Sequence, residues 1–209
     1  MKEWCFPVLH DLRRRIFLRN FVIVGHGTDA DGDFTLNDLC GGAGRLDVLL
    51  RCVSSAFFLS HGIRQDVGLF LVFPKGPKTI RFCASEMRYV NPDERSTGAL
   101  VRNALLKKLD GPGEKQSSPG IHVSTKSFED TVKELPNLMW LVENGDPWPS
   151  AVECDVTFVL SDHHDFTLDE EAVLHKLKAR RVSLGPTSLH SNHCITLAHY
   201  LLDGSQTGV

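Results

Sequence analysis

The chain has 209 residues, is 42% hydrophobic, and sets 23 Lys and Arg against 26 Asp and Glu, for a formal net charge of -3. That length fits one domain, or one domain with a small lobe, and the apolar share is enough for a packed core, which excludes global disorder. The slightly acidic balance excludes a broad electrostatic field for nucleic acid, so RNA contact has to come from a local basic patch.

The first 17 residues, "MKEWCFPVLHDLRRRIF", place an Arg cluster after the apolar part, the reverse of a secretory signal. "FVIVGHG" (21–27) reads as a strand, and "TDADGDFTLNDLCGGAG" as an Asp- and Gly-rich loop. From Arg45 the spacing of Leu46, Leu49, Val53 and Phe57 predicts an amphipathic helix, with Asp47 and Arg51 paired on its polar side. "VGLFLVF" (67–73) and "TIRFCA" are strands joined by a "KGPK" turn. "NPDERSTGALVRNALLKKL" opens with acidic residues, as helix starts do, carries an apolar face at Leu100, Ala104 and Leu105, and closes with Lys107 and Lys108. The polar segment 110–120 reads as a flexible loop.

"IHVSTKS" is a short strand, "FEDTVKELP" a short helix ended by Pro136, and "NLMWLVENG" a strand and turn. The continuous apolar run at 156–160 has the character of a buried parallel strand. An amphipathic helix "LDEEAVLHKLKA", a strand "RRVSLG" and a last helix "HCITLAHYLLDG" complete the chain. Alternating strands and helices predict an α/β class with a mostly parallel sheet. No apolar run reaches the roughly 18 residues of a membrane-spanning helix. Six cysteines, Cys5, Cys40, Cys52, Cys83, Cys154 and Cys194, occur without a CxxC pair, which fits reduced thiols in a cytosolic protein and excludes a zinc ribbon.

Two strand ends carry chemistry-bearing residues. "SLGPTSLHSNHC" (183–194) offers histidines and a cysteine, but adjacent His193 and Cys194 suit neither a paired-ligand metal site nor a nucleophile with its base. A strand running into Leu-Gly-Pro and a helix entry instead leaves backbone N–H groups free for a ligand's polar edges. "VLSDHHDFT" is the matching strand end one unit earlier. Arg45 and Arg51 suit phosphate or base contact, and Arg64, Arg88 and Arg95 extend the patch. No GxGxxG fingerprint, Walker loop or HExxH helix is present.

"GRLDVLLRCVSSAFFLSHGIRQDV", "NPDERS", "SSPGI", "VLSDHHDF" and "SLGPTSLHSNHCIT", in this order, resemble the TrmY-type tRNA pseudouridine N1-methyltransferases of the SPOUT superfamily, over nearly the whole chain. The resemblance implies one SPOUT domain over 18–209 with a deep C-terminal trefoil knot. It implies S-adenosylmethionine as donor, no metal, a cytoplasmic homodimer, and pseudouridine 54 of tRNA as substrate. An rRNA pseudouridine, another RNA base, or a non-catalytic RNA-binding role are its alternatives.

Carried over residue by residue, the cofactor contacts implied are Leu141, Ser161, Leu184, Gly185, Pro186, Thr187, Ser188, Leu189 and Cys194. Ser161 stands where other members have Gly in an Ile-Gly-Asp-His run. The candidate proton acceptors are Asp47 and Asp162, and the candidate RNA contacts Arg45, Arg51, Arg64 and Arg95. His190 and His193 are expected to hydrogen-bond within the knot or across the dimer. Family members start close to their first strand, so residues 1–17 read as an extension ahead of a true start near Leu18.

Overall fold

The computed structural model describes residues 17–111, 113–152 and 154–205. Residues 1–16 of the expected extension lie outside them. The elements run β1 (Arg19–Val24), α1 (Leu46–Phe57), a two-stranded hairpin β2 (Phe58–Leu59) and β3 (Gly62–Ile63), β4 (Val67–Phe73), β5 (Lys78–Cys83), α2 (Glu94–Leu105), β6 (Lys115–Ser118), β7 (Ile121–Ser124), α3 (Phe128–Val132), β8 (Leu138–Pro147), β9 (Val156–Ser161), α4 (Leu168–Lys176), β10 (Arg180–Ser183) and α5 (Ser191–Ser205).

One sheet has the order β10-β8-β9-β1-β4-β5-β7-β6. From β10 to β4 neighbouring strands pair parallel, and from β4 to β6 they pair antiparallel. The class is α/β, as expected, with an antiparallel flank. β1 and β4 are buried at every position, which is why β4 and the Phe21–Val24 part of β1 are apolar runs rather than alternating ones; Arg19 and Asn20 are the buried polar start of β1. The face bearing Phe21, Ile23, Leu69, Leu71, Phe158 and Leu160 packs on α1, α2 and α5. The face bearing Val22, Val24, Phe70, Val72 and Val159 packs on α3 and α4.

Two readings needed correction. The segment 110–120 is not loop throughout: Lys115–Ser118 pairs antiparallel with β7 as the sheet's edge strand. Its polar sequence suits an edge with one partner and a solvated face. Lys107 and Lys108 follow α2, which ends at Leu105. Asp47 pairs with Arg51 at 2.8 Å as expected, but the pair's acid is buried, 1% exposed.

The local signals are otherwise the familiar ones. Asp93 caps α2 by accepting from the Ser96 amide at 2.7 Å, and Ser127–Asp130 and Thr167–Glu170 form reciprocal capping boxes on α3 and α4.

At the far end of the helices, a buried charge cluster anchors α5. Arg19 pairs with Asp66 at 3.0 Å and Asp203 at 2.7 Å, and Asp203 pairs with Arg64 at 2.6 Å. His199 Nε2 donates to the Ala56 carbonyl at 3.1 Å, so its Nδ1 accepts from Arg19. Burial first, then Arg64 and Arg19, push this imidazole down to about 3, so it is neutral.

Candidate active site

The carboxyl ends of β1, β9, β8 and β10 converge, the position where parallel α/β sheets hold ligands. β8 and β10 shape one side. Their register runs Arg181 with Trp140 and then Val182 with Asp146, so residues 141–145 bulge out of β8. Gly145 sits at the foot of the bulge, where a Cβ would lie 2.7 Å from the Val182 amide nitrogen. Leu141 is therefore on the bulge, next to the loop that leaves β10.

That loop, 184–189, is open backbone. Ser183 Oγ donates to the Glu143 carbonyl at 2.8 Å and accepts from the Gly185 amide at 3.0 Å. Gly185 has φ +130°, a conformation other residues resist. Among the described residues, no protein acceptor takes the amides of Thr187, Ser188 and Leu189. The Ser188 hydroxyl hydrogen-bonds the Glu143 carboxylate and holds that acid below its ordinary value. α5 then begins with Ser191, whose hydroxyl donates to the Ser161 carbonyl at 2.5 Å, closing the loop onto β9.

Cys194 lies under this loop, its sulfur 3.9 Å from the Leu189 carbonyl. Burial, with Glu143 adding to it, pushes the thiol up to about 11. At neutral pH the thiol is therefore held protonated. Hydrogen bonds thus draw the bulge at Glu143, Ser161, the 183–189 loop and Cys194 together at these strand ends, where carbonyls and open amides could meet a ligand's polar edges. A cleft of about 550 Å³ beside Leu138, Met139 and Arg180 and another of about 860 Å³ beside Lys75 and Leu106 do not touch residues 184–189.

Asp162, next after Ser161, accepts from the amides of His26 at 2.7 Å, Gly27 at 3.2 Å and His164 at 2.8 Å. His26 Nδ1 is 3.3 Å from the same carboxylate, and its Nε2 is 2.9 Å from Glu170 of α4. Hydrogen bonds to Asp162, then to Glu170, raise the imidazole to about 9 against the effect of burial. Burial pushes the Asp162 carboxyl up, but the His26 hydrogen bond and the His164 and Gly27 amides outweigh it and hold the acid well below the usual range.

A carboxylate so filled is a weak base. The ligand atoms of His26, Asp162 and His164 lie within 4.8 Å of one another, as a cation site requires. However, Asp162 already accepts from three amides and each ring nitrogen of His26 meets a carboxylate oxygen, so the cluster satisfies itself without a cation.

Asp47 is gripped by Arg45, Nε to Oδ1 at 3.0 Å, and by Arg51 at 2.8 Å. Burial pushes its carboxyl up, but these hydrogen bonds outweigh it and hold the acid below its ordinary value. Asp47 therefore aligns two half-exposed guanidinium groups. Arg45 itself is left-handed, at φ 61° and ψ 34°, immediately before α1. That conformation costs a non-glycine residue roughly 1–2 kcal/mol, and the two-pronged grip of Asp47 offsets it. Gly44 precedes it at φ +61°, where a Cβ would sit 2.0 Å from the Gly27 carbonyl oxygen. Gly27 follows His26, so the arginine pair and the Asp162 cluster are neighbours.

The other predicted contacts divide. Arg95 is exposed near the start of α2 and donates to Asn37 at 2.5 Å, close to Glu94, which is 3.6 Å from Arg51. Arg88 is exposed and bonds the Ser85 and Met87 carbonyls. Arg64 is not brought to this edge: it precedes β4, at the opposite end of the sheet, and is tied to Asp203 in the anchor of α5. His190 and His193 are exposed, their rings edge to face at 5.7 Å, while the His190 carbonyl accepts the His193 and Cys194 amides and starts α5. Sequence reading passed over His26. The signal was a histidine closing one central strand, beside the Asp-His-His that closes the next.

The model of a family described as SAM-dependent RNA methyltransferases matches residues 18–207. The chain is 43% identical over 190 residues to a tRNA (pseudouridine(54)-N(1))-methyltransferase of Methanocella arvoryzae, covering 89% of this chain and 99% of that protein. It is 48% identical to the protein of the same name from Haloferax volcanii, covering 89% and 96%. The crystal structure of Archaeoglobus fulgidus Nep1 bound to S-adenosylhomocysteine superposes with a TM-score of 0.67 at 12% identity, over 91% of this chain and 99% of that one, a likeness of fold. With a match across nearly its whole length, the chain belongs to the SAM-dependent RNA methyltransferase family that contains the tRNA (pseudouridine(54)-N(1))-methyltransferases.

Proposed function

We propose that the chain transfers a methyl group from S-adenosylmethionine to N1 of pseudouridine 54 in tRNA. The observation that carries this reading is identity above 40% over 89% of the chain to relatives bearing that name, on a chain whose strand ends set an open backbone loop near an arginine couple. The donor's sulfonium supplies an already activated methyl group, so the protein's work is binding and alignment.

In this reading, residues 184–189 and the bulge at Leu141 hold the donor through carbonyls and amides. Ser161 keeps the family's small-residue position at the end of β9. Arg45 and Arg51, aligned by Asp47, hold the nucleotide or its phosphate. Neither Asp47 nor Asp162 is suited to take the N1 proton, since both carboxylates are filled by cationic or N–H partners. Water at the open rim takes it instead.

Three further parts of the reading go with this. The C-terminal trefoil knot is supported by the path of the chain: β10 lies at the sheet edge beyond β8, yet α5 returns to bond Ser161 and pack on α1. A homodimer is supported by Leu189, Leu197 and Tyr200, exposed by 36%, 37% and 74% on and beside α5. A cytoplasmic location goes with a tRNA substrate in this reading; among the described residues no helix is long and apolar enough to cross a membrane. Deleting the gene tests the substrate. N1-methylpseudouridine should vanish from tRNA nucleosides while pseudouridine remains, and its persistence would overturn the assignment.

A further inference from the structure

We infer that His26 is a positioning residue: by bridging Asp162 and Glu170 it joins the donor groove to the loop that carries Arg45, so that donor and RNA are held at one fixed separation. This rests on the functional reading above for the ligands, and on geometry for the link.

The geometry is a continuous chain of short contacts. The groove loop ends at Ser191, which bonds the Ser161 carbonyl at 2.5 Å. Ser161 leads into Asp162, whose carboxylate collects the amides of both His26 and Gly27. The His26 ring returns to that carboxylate through Nδ1 and reaches Glu170 through Nε2 at 2.9 Å. Glu170 is itself fixed in the capping box of α4, bonding the Thr167 amide at 2.8 Å. On the other side Gly27 is pressed against Gly44, with no room for a Cβ on either residue, and Gly44 leads into Arg45. A shift of residues 26 and 27 must therefore move Arg45, and a shift of Asp162 must move Ser161.

The bridge depends on charge. Both ring nitrogens meet carboxylate oxygens, so each has to donate, which only the imidazolium does. The groups facing the ring are Asp162, His163 and His164 from the loop after β9 and Glu170 from α4, with the His164 ring 6.1 Å away edge to face. The two carboxylates keep the imidazole protonated to about 9, so the bridge is closed at neutral pH and opens on the alkaline side.

The test measures coupling between two ligands in the full-length protein. Affinity for a pseudouridine-containing tRNA is measured with and without saturating S-adenosylhomocysteine, from pH 6.5 to 10, in wild type, His26→Gln and Glu170→Gln. A rigid link predicts that the ligand bound first bears the ordering cost of both ends, so each raises the other's affinity, by about tenfold on the scale of ordinary coupling. His26→Gln should lose the coupling while each separate affinity stays within about threefold, a split that a merely destabilising change would not produce.

Both ligands have ionisations of their own, so the quantity compared is the ratio of coupling between variants at each pH. Glu170→Gln removes one of the two carboxylates, so its coupling should disappear at lower pH than in wild type. If His26→Gln does not fold, that shift carries the test. Coupling absent in wild type, retained in His26→Gln, or lost at the same pH in Glu170→Gln overturns the inference. Intact coupling in a protein that makes no N1-methylpseudouridine overturns the functional reading and leaves the bridge standing.

Discussion

Replacing Asp162 by Asn removes the charge on which two strand ends converge. The side chain is 2% exposed and accepts from three backbone amides and the His26 ring. Asparagine keeps one acceptor oxygen. If that oxygen stays with His26 and Gly27, the amide nitrogen faces the His164 N–H and the His26 ring, donor against donor. Two hydrogen bonds to a charged group are then lost, at about 1.5–3 kcal/mol each. A net loss of about 3 kcal/mol in a domain of this size lowers the melting temperature by about 6–12 °C. Calorimetry at pH 6 reads it.

The sign of the pH dependence follows from the partner. His26 is raised from 6.5 to about 9, so its contribution is complete below 6.5, declines as pH rises, and is gone above about 9. The gap between wild type and Asp162→Asn should therefore be widest at pH 6 and narrow by pH 9.5. A shift under 2 °C, or a gap that widens with pH, would refute the account of this cluster.

Gly44→Ala places a Cβ 2.0 Å from the Gly27 oxygen, at φ +61°. It should cut kcat/KM for tRNA by at least about tenfold, on the scale of a small misplacement of binding groups, while S-adenosylhomocysteine affinity changes far less. Arg45→Ala and Arg51→Ala should each weaken tRNA binding and reduce the slope of log affinity against log salt by about 1; an unchanged slope would remove that residue from the RNA contact. Cys194→Ser should keep methyl transfer within about tenfold, because a thiol held near 11 is not the nucleophile. Loss of all activity with the donor still bound would revive a covalent route. Exhaustive chelation should leave turnover unchanged, since the Asp162 carboxylate already accepts from three backbone amides.

Much of the fold was legible because the central strands state their burial directly. β4, Phe21–Val24 of β1 and Phe158–Leu160 of β9 are continuous apolar runs, and both faces of each are covered. β6 was hidden because "KQSS" has an edge strand's polarity and follows two glycines, which read locally as loop. The length of β8 was hidden because its second half is set by pairing with β10 past a bulge, a tertiary effect with no local periodicity.

In the site, the loop after β10 was readable from its Gly-Pro turn and the helix that follows. The Asp47–Arg51 pair was readable from its i+4 spacing, but its burial was not. In the fold Asp47 is the buried member, and Arg45, two residues before it, wraps back through a left-handed turn. Arg64 looked like part of the basic patch by residue type alone, but α1 runs away from the site, so the chain after it emerges at the other end of the sheet. Spacing along a chain does not report which end of a sheet a residue reaches.

The central claim is methyl transfer to N1 of pseudouridine 54. Purified protein is incubated with methyl-labelled S-adenosylmethionine and two tRNAs that differ only in carrying pseudouridine or uridine at position 54, and the digested nucleosides are identified by mass. The account predicts labelled N1-methylpseudouridine from the first and no label in the second. Label in both, or none in either from a protein that binds S-adenosylhomocysteine, would contradict it.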